Sequence, residues 1–194
     1  MFYTINLKRL KKKMTLWAML LTFFFALVFI IKSIYPIEHF DLIKKYCRQY
    51  NLKPELIYAI IHTESKFKIN AISNKGAKGL MQIRKSTADW AAKEIQLSDY
   101  EYEKIFDPQI NIQIGCWYMN NLIKQFGNVD TAICAYNAGS GNVSKWLSNP
   151  NYSPDGKKLI HIPFRETRNY LRRVSLNQKI YHILVRLIIF IKGE

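Results

Sequence analysis

Cysteine is scarce in this 194-residue chain, and the count is odd: Cys47, Cys116 and Cys134 stand far apart. A disulfide-stapled exported fold ordinarily carries more cysteines, in pairs, so buried thiols are the expected state, with one bridge left open. No two cysteines fall at zinc-site spacing and the four histidines (His39, His62, His161, His182) are scattered, so neither metal nor other cofactor is expected. With only 8 glycines and 6 prolines, collagen-like and low-complexity chains are excluded, and 49% hydrophobic residues exclude a disordered polymer. Acid is the largest shortage: 14 Asp and Glu face 29 Lys and Arg, a net charge of +15. Residues 1–34 hold six bases (Lys8, Arg9, Lys11, Lys12, Lys13, Lys32) and no acid. Such a surplus favours polyanionic surroundings, whether nucleic acid, anionic lipid or an acidic wall polymer, without choosing among them.

Charge is missing altogether from Met14 to Ile31, 18 residues dominated by Leu, Phe and Ile. At ~1.5 Å per residue a helix of that run is roughly 27 Å long, and residues 33–35 bring it to bilayer thickness. Thr15 and Thr22 supply its only polarity, too little for the polar face of a core helix. Five bases precede the run and Lys32 alone follows closely, which leaves the N-terminus in the cytoplasm. Residues 31–36 lack the small-x-small pattern of a cleavage site, so an uncleaved anchor is favoured over a removable signal peptide. The expected organisation is a cytoplasmic basic segment over 1–13, a single-pass transmembrane signal anchor over 14–34, and one domain over 35–194. That domain would lie outside the cytoplasmic membrane, in a periplasm or on an outer face. Export and the lack of any reader motif argue against nucleic acid as a partner.

Beyond Pro36 the apolar spacing is that of helices, with short Gly- or Asn-rich breaks and no sustained two-residue alternation. Helices are predicted over about 38–50 and from Pro54 to about Ser65, followed by a loop over 66–80. Ser86 is expected to cap a helix through Trp90 and Ile95, and Asp107-Pro108 to start a longer one closed by Phe126-Gly127. Asn128 or Asp130 opens the next, ending at Ala138-Gly139; a short helix carries Val143 and Trp146; the last begins near Pro163 and runs past Tyr181. The fold class is therefore mainly α. The apolar stretch Ile183 to Ile191 is too short to span a bilayer, and is expected as a packed turn in preference to a surface touching the membrane.

Helix 54–65 carries the first chemical signal. Leu56, Ile57, Ile60 and Ile61 define an inward stripe whose next positions are Glu64 and Ser65, so a carboxylate is aimed at the core side. A buried carboxyl resists ionisation and becomes a proton donor near neutral pH. On spacing alone, a structural Glu paired with one of the many lysines is the better reading.

The surrounding residues change that balance. Glu64-Ser65-Lys66-Phe67, Ala71, Ser73 and Gly76-Ala77-Lys78-Gly79-Leu80-Met81-Gln82-Ile83 with Thr87-Ala88 resemble the catalytic signature of the lytic transglycosylases. Three further stretches resemble that family's other motifs, in order: Asn111-Ile112 with Gly115 and Tyr118-Met119; Ala135 to Gly139 with Val143 and Trp146; and Ile162-Pro163 with Glu166-Thr167-Arg168 and Tyr170. Together they cover roughly residues 40 to 175. The resemblance implies a lysozyme-like transglycosylase catalytic domain, here preceded by one transmembrane helix. Its partner would be the glycan strands of peptidoglycan, cut between N-acetylmuramic acid and N-acetylglucosamine with formation of 1,6-anhydromuramoyl ends. It implies one carboxyl serving as acid and then base, and by its place in the motif Glu64 is that residue.

The resemblance also places Ser73 at the catalytic centre and the Tyr136 hydroxyl near the catalytic carboxyl. Gln82 has a donor and an acceptor suited to an N-acetyl or hydroxyl group, and Asn137 ends a helix at the same cleft. Glu166 either lines the groove or binds Arg168, and Trp146 is expected in the core. No Asp or Glu lies between Glu64 and Asp89, which fits a single working carboxyl, although Asp99, Glu101, Glu103, Asp107 or Glu166 are free to approach through folding. Arg84-Lys85 depart from the family's usual Met-Pro. Two other readings stand beside this one: a goose-type-lysozyme-like hydrolytic muramidase, and a decayed glycan-binding envelope scaffold. Protein partners are not indicated.

Overall fold

The computed structural model describes residues 7–193; residues 1–6 of the expected basic segment lie outside the described residues. The chain divides into two compact units, Met1–Ile37 and Glu38–Glu194. In the first, α1 (Leu7–Ile34) takes in the basic residues as well as the apolar run. None of its apolar window is buried, and side chains as large as Trp17 and Phe29 are about three-quarters exposed, at 70% and 74%.

The second unit contains α2 (Phe40–Gln49), α3 (Pro54–Glu64), α4 (Lys85–Glu94), a 3-10 turn (Tyr102–Phe106), α5 (Pro108–Phe126), α6 (Val129–Ala138), α7 (Ser140–Leu147) and α8 (Arg165–Lys192). Among the described residues there is no strand beyond two isolated bridges, Ile72 with Lys78 and Lys78 with Ile83. The ends of α5 and the start of α6 sit where capping chemistry puts them. Asp107 Oδ1 accepts from the Gln109 and Ile110 amides at 2.7 and 3.4 Å, ahead of Pro108 in the first turn. Gly127 closes α5 at φ 64°, and Asn128 Oδ1 accepts from the Thr131 amide at 2.9 Å to open α6. The exception is α4, which starts at Lys85, not after a Ser86 cap. Ile83 and Lys78 exchange both backbone hydrogen bonds, at 3.0 and 3.1 Å, so the chain leaves extended backbone directly at Arg84 and turns helical one residue later.

α3 is the centre of the unit. Every residue from Leu56 to Ile61 is buried, Tyr58 and Ala59 included, so the helix is enclosed on all sides and the expected one-sided stripe is corrected. α8 runs along it: the Tyr58 and Tyr181 rings stack at 5.1 Å, and Asn177 Nδ2 donates to Thr63 Oγ1 at 3.0 Å. All three cysteines are buried and free. The expectation that Ile183 to Ile191 packs is only half met. Val185 is buried, but Ile183, Leu187, Phe190 and Ile191 are exposed, because the packed face of α8 is turned to α3 and α6 and these four side chains lie on the other face.

The loop from 65 to 84 is held from below by one side chain. Fully buried Asn111 accepts from the Met81 amide at 2.8 Å and donates to the Lys78 and Ile105 carbonyls at 3.2 and 2.8 Å. Gly79, at φ 79°, lies so close that a Cβ there would stand 2.1 Å from Asn111 Nδ2. A Cβ at Gly115 would stand 2.2 Å from Met81 Sδ. Asn111→Ala would take the side-chain partner from the buried Met81 amide and the Ile105 carbonyl, while the Lys78 carbonyl keeps its bond from Ile83, and is expected to lower unfolding free energy by about 2–4 kcal/mol in urea titrations. A loss below about 0.5 kcal/mol would show that the loop does not depend on this residue.

Candidate active site

Glu64 is the last residue of α3, where the helix dipole presents its negative end and four carbonyls lack helical partners. The chain then leaves sharply, with Lys66 and Phe67 both left-handed at φ 51° and 64°. That exit is costly for a bulky residue, and the Phe67 ring offsets it by burial among Tyr58, His62 and Tyr181. The result is a carboxyl at the end of a core helix, facing a cleft of about 630 Å³.

Glu64 Oε1 accepts a hydrogen bond from the buried Tyr170 hydroxyl at 2.7 Å. Burial raises the Glu64 carboxyl from its ordinary 4.5 to about 7. The Tyr170 bond and the Arg173 cation pull the other way, and the Glu166 carboxylate adds to the rise. Desolvation wins, so near neutral pH this group carries a proton for a substantial part of the time. With Oε1 occupied by Tyr170, Oε2 is the oxygen left for that proton and for a substrate.

All six residues singled out from the sequence, Glu64, Ser73, Gln82, Tyr136, Asn137 and Glu166, line this one cleft. Their hydrogen bonds give them different parts in it. Tyr136 donates its hydroxyl to the Met81 carbonyl at 2.8 Å, not to Glu64, so it fixes the cleft floor; the tyrosine bonded to the carboxyl is Tyr170. Ser73 Oγ accepts from the Ala77 amide at 3.0 Å and shapes its own turn. Gln82, left-handed at φ 49°, donates through Nε2 to the Ala71 and Gly79 carbonyls at 3.0 and 2.9 Å, leaving its side-chain carbonyl for a ligand. Asn137 Oδ1 accepts from Thr167 at 2.8 Å, tying α6 to the first turn of α8 and leaving its amide donors.

Of the acids free to approach, Glu166 is the one that shares the cleft with Glu64. Asp107 caps α5, and Glu103 lies out by Lys78 at 3.9 Å. Arg168 donates to the Ile162 and Pro163 carbonyls, so the alternative in which it binds Glu166 is not the one adopted. Trp146 is buried edge-on against Phe164 at 4.9 Å, as a core residue. Arg84, the departure at the end of the loop, also lines the cleft. Tyr170 was in view within a motif, but its role was not. The signal that finds it is the three-and-four spacing of Thr167, Tyr170, Val174, Tyr181 and Val185, the buried face of α8, on which Tyr170 stands beside the end of α3.

Among the described residues no cluster of His, Cys, Asp and Glu is arranged to hold a metal ion. Helices closing around a cleft with one shielded carboxyl at its wall define a mainly helical domain of the lysozyme-like type. Residues 41–159 match the family described as the transglycosylase SLT domain. The chain is 36% identical over 143 residues to the soluble lytic murein transglycosylase of Salmonella typhimurium, covering 72% of this chain and 22% of that protein. It is 28% identical over 174 residues to membrane-bound lytic murein transglycosylase C of Edwardsiella ictaluri, covering 74% of this chain and 46% of that protein. An inactive variant of the lytic transglycosylase Slt from Pseudomonas aeruginosa, with glutamine in place of one glutamate, aligns with a TM-score of 0.71 at 30% identity, over 80% of this chain and 26% of that one. The chain thus spans about a quarter of the length of these soluble relatives. It belongs to the transglycosylase SLT domain family.

The raised carboxyl makes a stability prediction with a definite sign. Between about pH 4.5 and 7 the folded state holds a proton on Glu64 that the unfolded state releases, so stability present below pH 4.5 is lost as pH rises through about 7. Glu64→Gln lacks this loss. The variant is expected to be more stable than wild type by on the order of 2–3 kcal/mol at about pH 8, with the gap closing at about pH 4, in thermal unfolding series. Tyr170→Phe removes a donor that favours the carboxylate, so Glu64 is expected to titrate above about 7 by NMR of its side-chain carboxyl. An unchanged titration would uncouple the two residues.

Proposed function

We propose that the domain cleaves peptidoglycan glycan strands as a lytic transglycosylase, with Glu64 as its single acid and base. The observation that carries this reading is the shielded Glu64 carboxyl at the cleft wall, held through one oxygen by Tyr170 at 2.7 Å. The protonated carboxyl gives its proton to the oxygen linking N-acetylmuramic acid to N-acetylglucosamine, and the bond from that oxygen to the muramoyl C1 breaks. The glucosaminyl side leaves with a free hydroxyl. Glu64, now a carboxylate, takes the proton from the muramoyl 6-hydroxyl as its oxygen closes on C1. The proton is returned, no water is consumed, and the strand ends in a 1,6-anhydro ring. Murein is named for the relatives' activity, and the inactive glutamine variant of the Pseudomonas enzyme is in keeping with a dependence on one glutamate.

The domain organisation proposed is that of the sequence reading: α1, through residues 14–34, anchors the chain in the cytoplasmic membrane with the basic N-terminal segment inside and residues 35–194 outside. The uncharged, uncovered apolar run, the five bases before it and the membrane-bound relative support this. Gln82, Asn137, Ser73 and Tyr136 line the path of the strand, the first two with free polar groups, the others by shaping its floor.

Glu166 gives the hydrolytic alternative a specific footing, since a muramidase needs a second carboxyl to activate water. Digestion of purified sacculi by the full chain in detergent separates the two. Muropeptides one water lighter than their reducing counterparts are expected by mass spectrometry, with Glu64→Gln lowering turnover by about a thousandfold or more while sacculus binding survives. Turnover is expected to fall as pH rises through about 7, where the acid is lost. Glu166→Gln is expected to leave the anhydro product in place. Reducing ends made only when Glu166 is intact would establish hydrolysis instead.

A further inference from the structure

The outward face of α8 is apolar and, among the described residues, exposed. Leu176, Ile183 and Leu187 recur at seven and four residues, with Phe190 and Ile191 three and four beyond Leu187, so they share one stripe, and each is 50% exposed or more. The opposite face, with Tyr170, Val174, Tyr181 and Val185 all at 3% or less, is the one committed to the core. Scattered exposed apolar residues are ordinary, but a continuous stripe four turns long marks a contact surface.

Charge selects the occupant. Arg172, Lys179 and Arg186 lie exposed along the edge of the stripe, and the one acid in the whole of α8 is Glu166, in its first turn at the cleft. Acids of neighbouring elements that come near α8 are engaged, Asp41 with Lys192 at 3.6 Å and Glu55 with His182 at 3.2 Å. A second copy meeting this face symmetrically would set two rows of cations against one another, which opposes a dimer. An apolar stripe edged by cations is the pattern of a helix lying in an anionic lipid interface. Connectivity adds to this: residues 35–39 alone separate the end of α1 from the start of α2, a reach of at most about 22 Å. We infer that the outward face of α8 lies on the surface of an acidic bilayer, with Phe190 and Ile191 entering the headgroup boundary. The inference rests on the reading of α1 as a membrane anchor and adds to it a second, surface contact made by the catalytic unit.

The test uses the full chain carrying Phe190→Cys, labelled with a nitrobenzoxadiazole fluorophore; the three native cysteines are buried and stay unlabelled. The protein is reconstituted into phosphatidylcholine vesicles with or without roughly a third phosphatidylglycerol. Resistance of vesicle association to alkaline carbonate reads the anchor independently. In acidic vesicles the label is expected to shift to the blue and brighten several-fold. The same label at Ile160→Cys, an exposed position in the loop before α8, is expected to stay water-like. Lys179→Glu with Arg186→Glu is expected to remove most of the gain while the chain remains carbonate-resistant. A water-like label at 190 in carbonate-resistant chains would overturn the surface contact and spare the anchor. A chain extracted by carbonate would overturn the anchor, and with it the argument from tethering. A blue-shifted label in detergent that strengthens with protein concentration would show a second copy on this face and overturn the lipid assignment.

Discussion

The contact on which the cleft depends is a hydrogen bond between two residues 106 positions apart, the Tyr170 hydroxyl on the Glu64 carboxyl. A carboxyl at the end of a helix buried on every side has few waters near it, and the dipole of that helix disfavours its charge. Left without a partner, the group would either turn outward or cost the fold several kcal/mol as an unsatisfied buried acid. Tyr170 resolves this by engaging one oxygen. It donates, so it favours the carboxylate, yet it does not overcome desolvation, and the group stays poised at about 7 where an acid and a base are both accessible. α8 secures the geometry twice more, through Asn177 on Thr63 and through Thr167 on Asn137, so the end of α3 and the end of α6 are both referenced to one rigid element.

Much of the polar chemistry near Glu64 is consumed in holding the cleft together. Tyr136, Ser73 and half of the Gln82 amide bond to backbone of the 65–84 loop, and Asn111 holds the same loop from the other side. This economy explains why so many motif residues crowd one segment. A loop of Ser, Asn and Gly has weak intrinsic preference for one shape, and side chains from α5 and α6 supply the specification that packing does not. Among the described residues, the Gln82 carbonyl, the Asn137 amide, the second oxygen of Glu64 and the Glu166 carboxylate are the polar groups of the cleft not taken up in this bonding.

Helix ends were readable because their chemistry is local. Asp107-Pro108 at the start of α5 and Gly127 at its close need only neighbours in the chain to act. Ser86 misled for the opposite reason: the start of α4 is set by Ile83 pairing with Lys78, a contact absent from any local window. The same division separates Glu64 from Tyr170. The carboxyl announces itself as a charge continuing an apolar stripe, whereas its partner is one of 12 tyrosines and is distinguished only by which face of α8 meets α3. Helix periodicity showed which side of α3 is apolar but not that its other sides would be covered, since covering depends on helices far along the chain.

α8 shows how far a single helix can serve two surroundings. Its period carries two stripes half a turn apart, one of Tyr, Val and Thr matched to α3 and α6, the other of Leu, Ile and Phe edged by cations. On the inward stripe Tyr170 reaches Glu64 at the cleft while Tyr181 packs on Tyr58 and Phe67, and the outward stripe has no aromatic hydroxyl. A core helix needs no second apolar face, and one exposed to water is a liability for solubility that charge on its edge only partly offsets. Such a stripe beside a near absence of acid is therefore understood best as a surface suited to something apolar at depth and anionic at its boundary. Because the inward stripe of the same rigid element holds Tyr170 against Glu64, a contact made on the outward stripe would bear on the very element that positions the carboxyl.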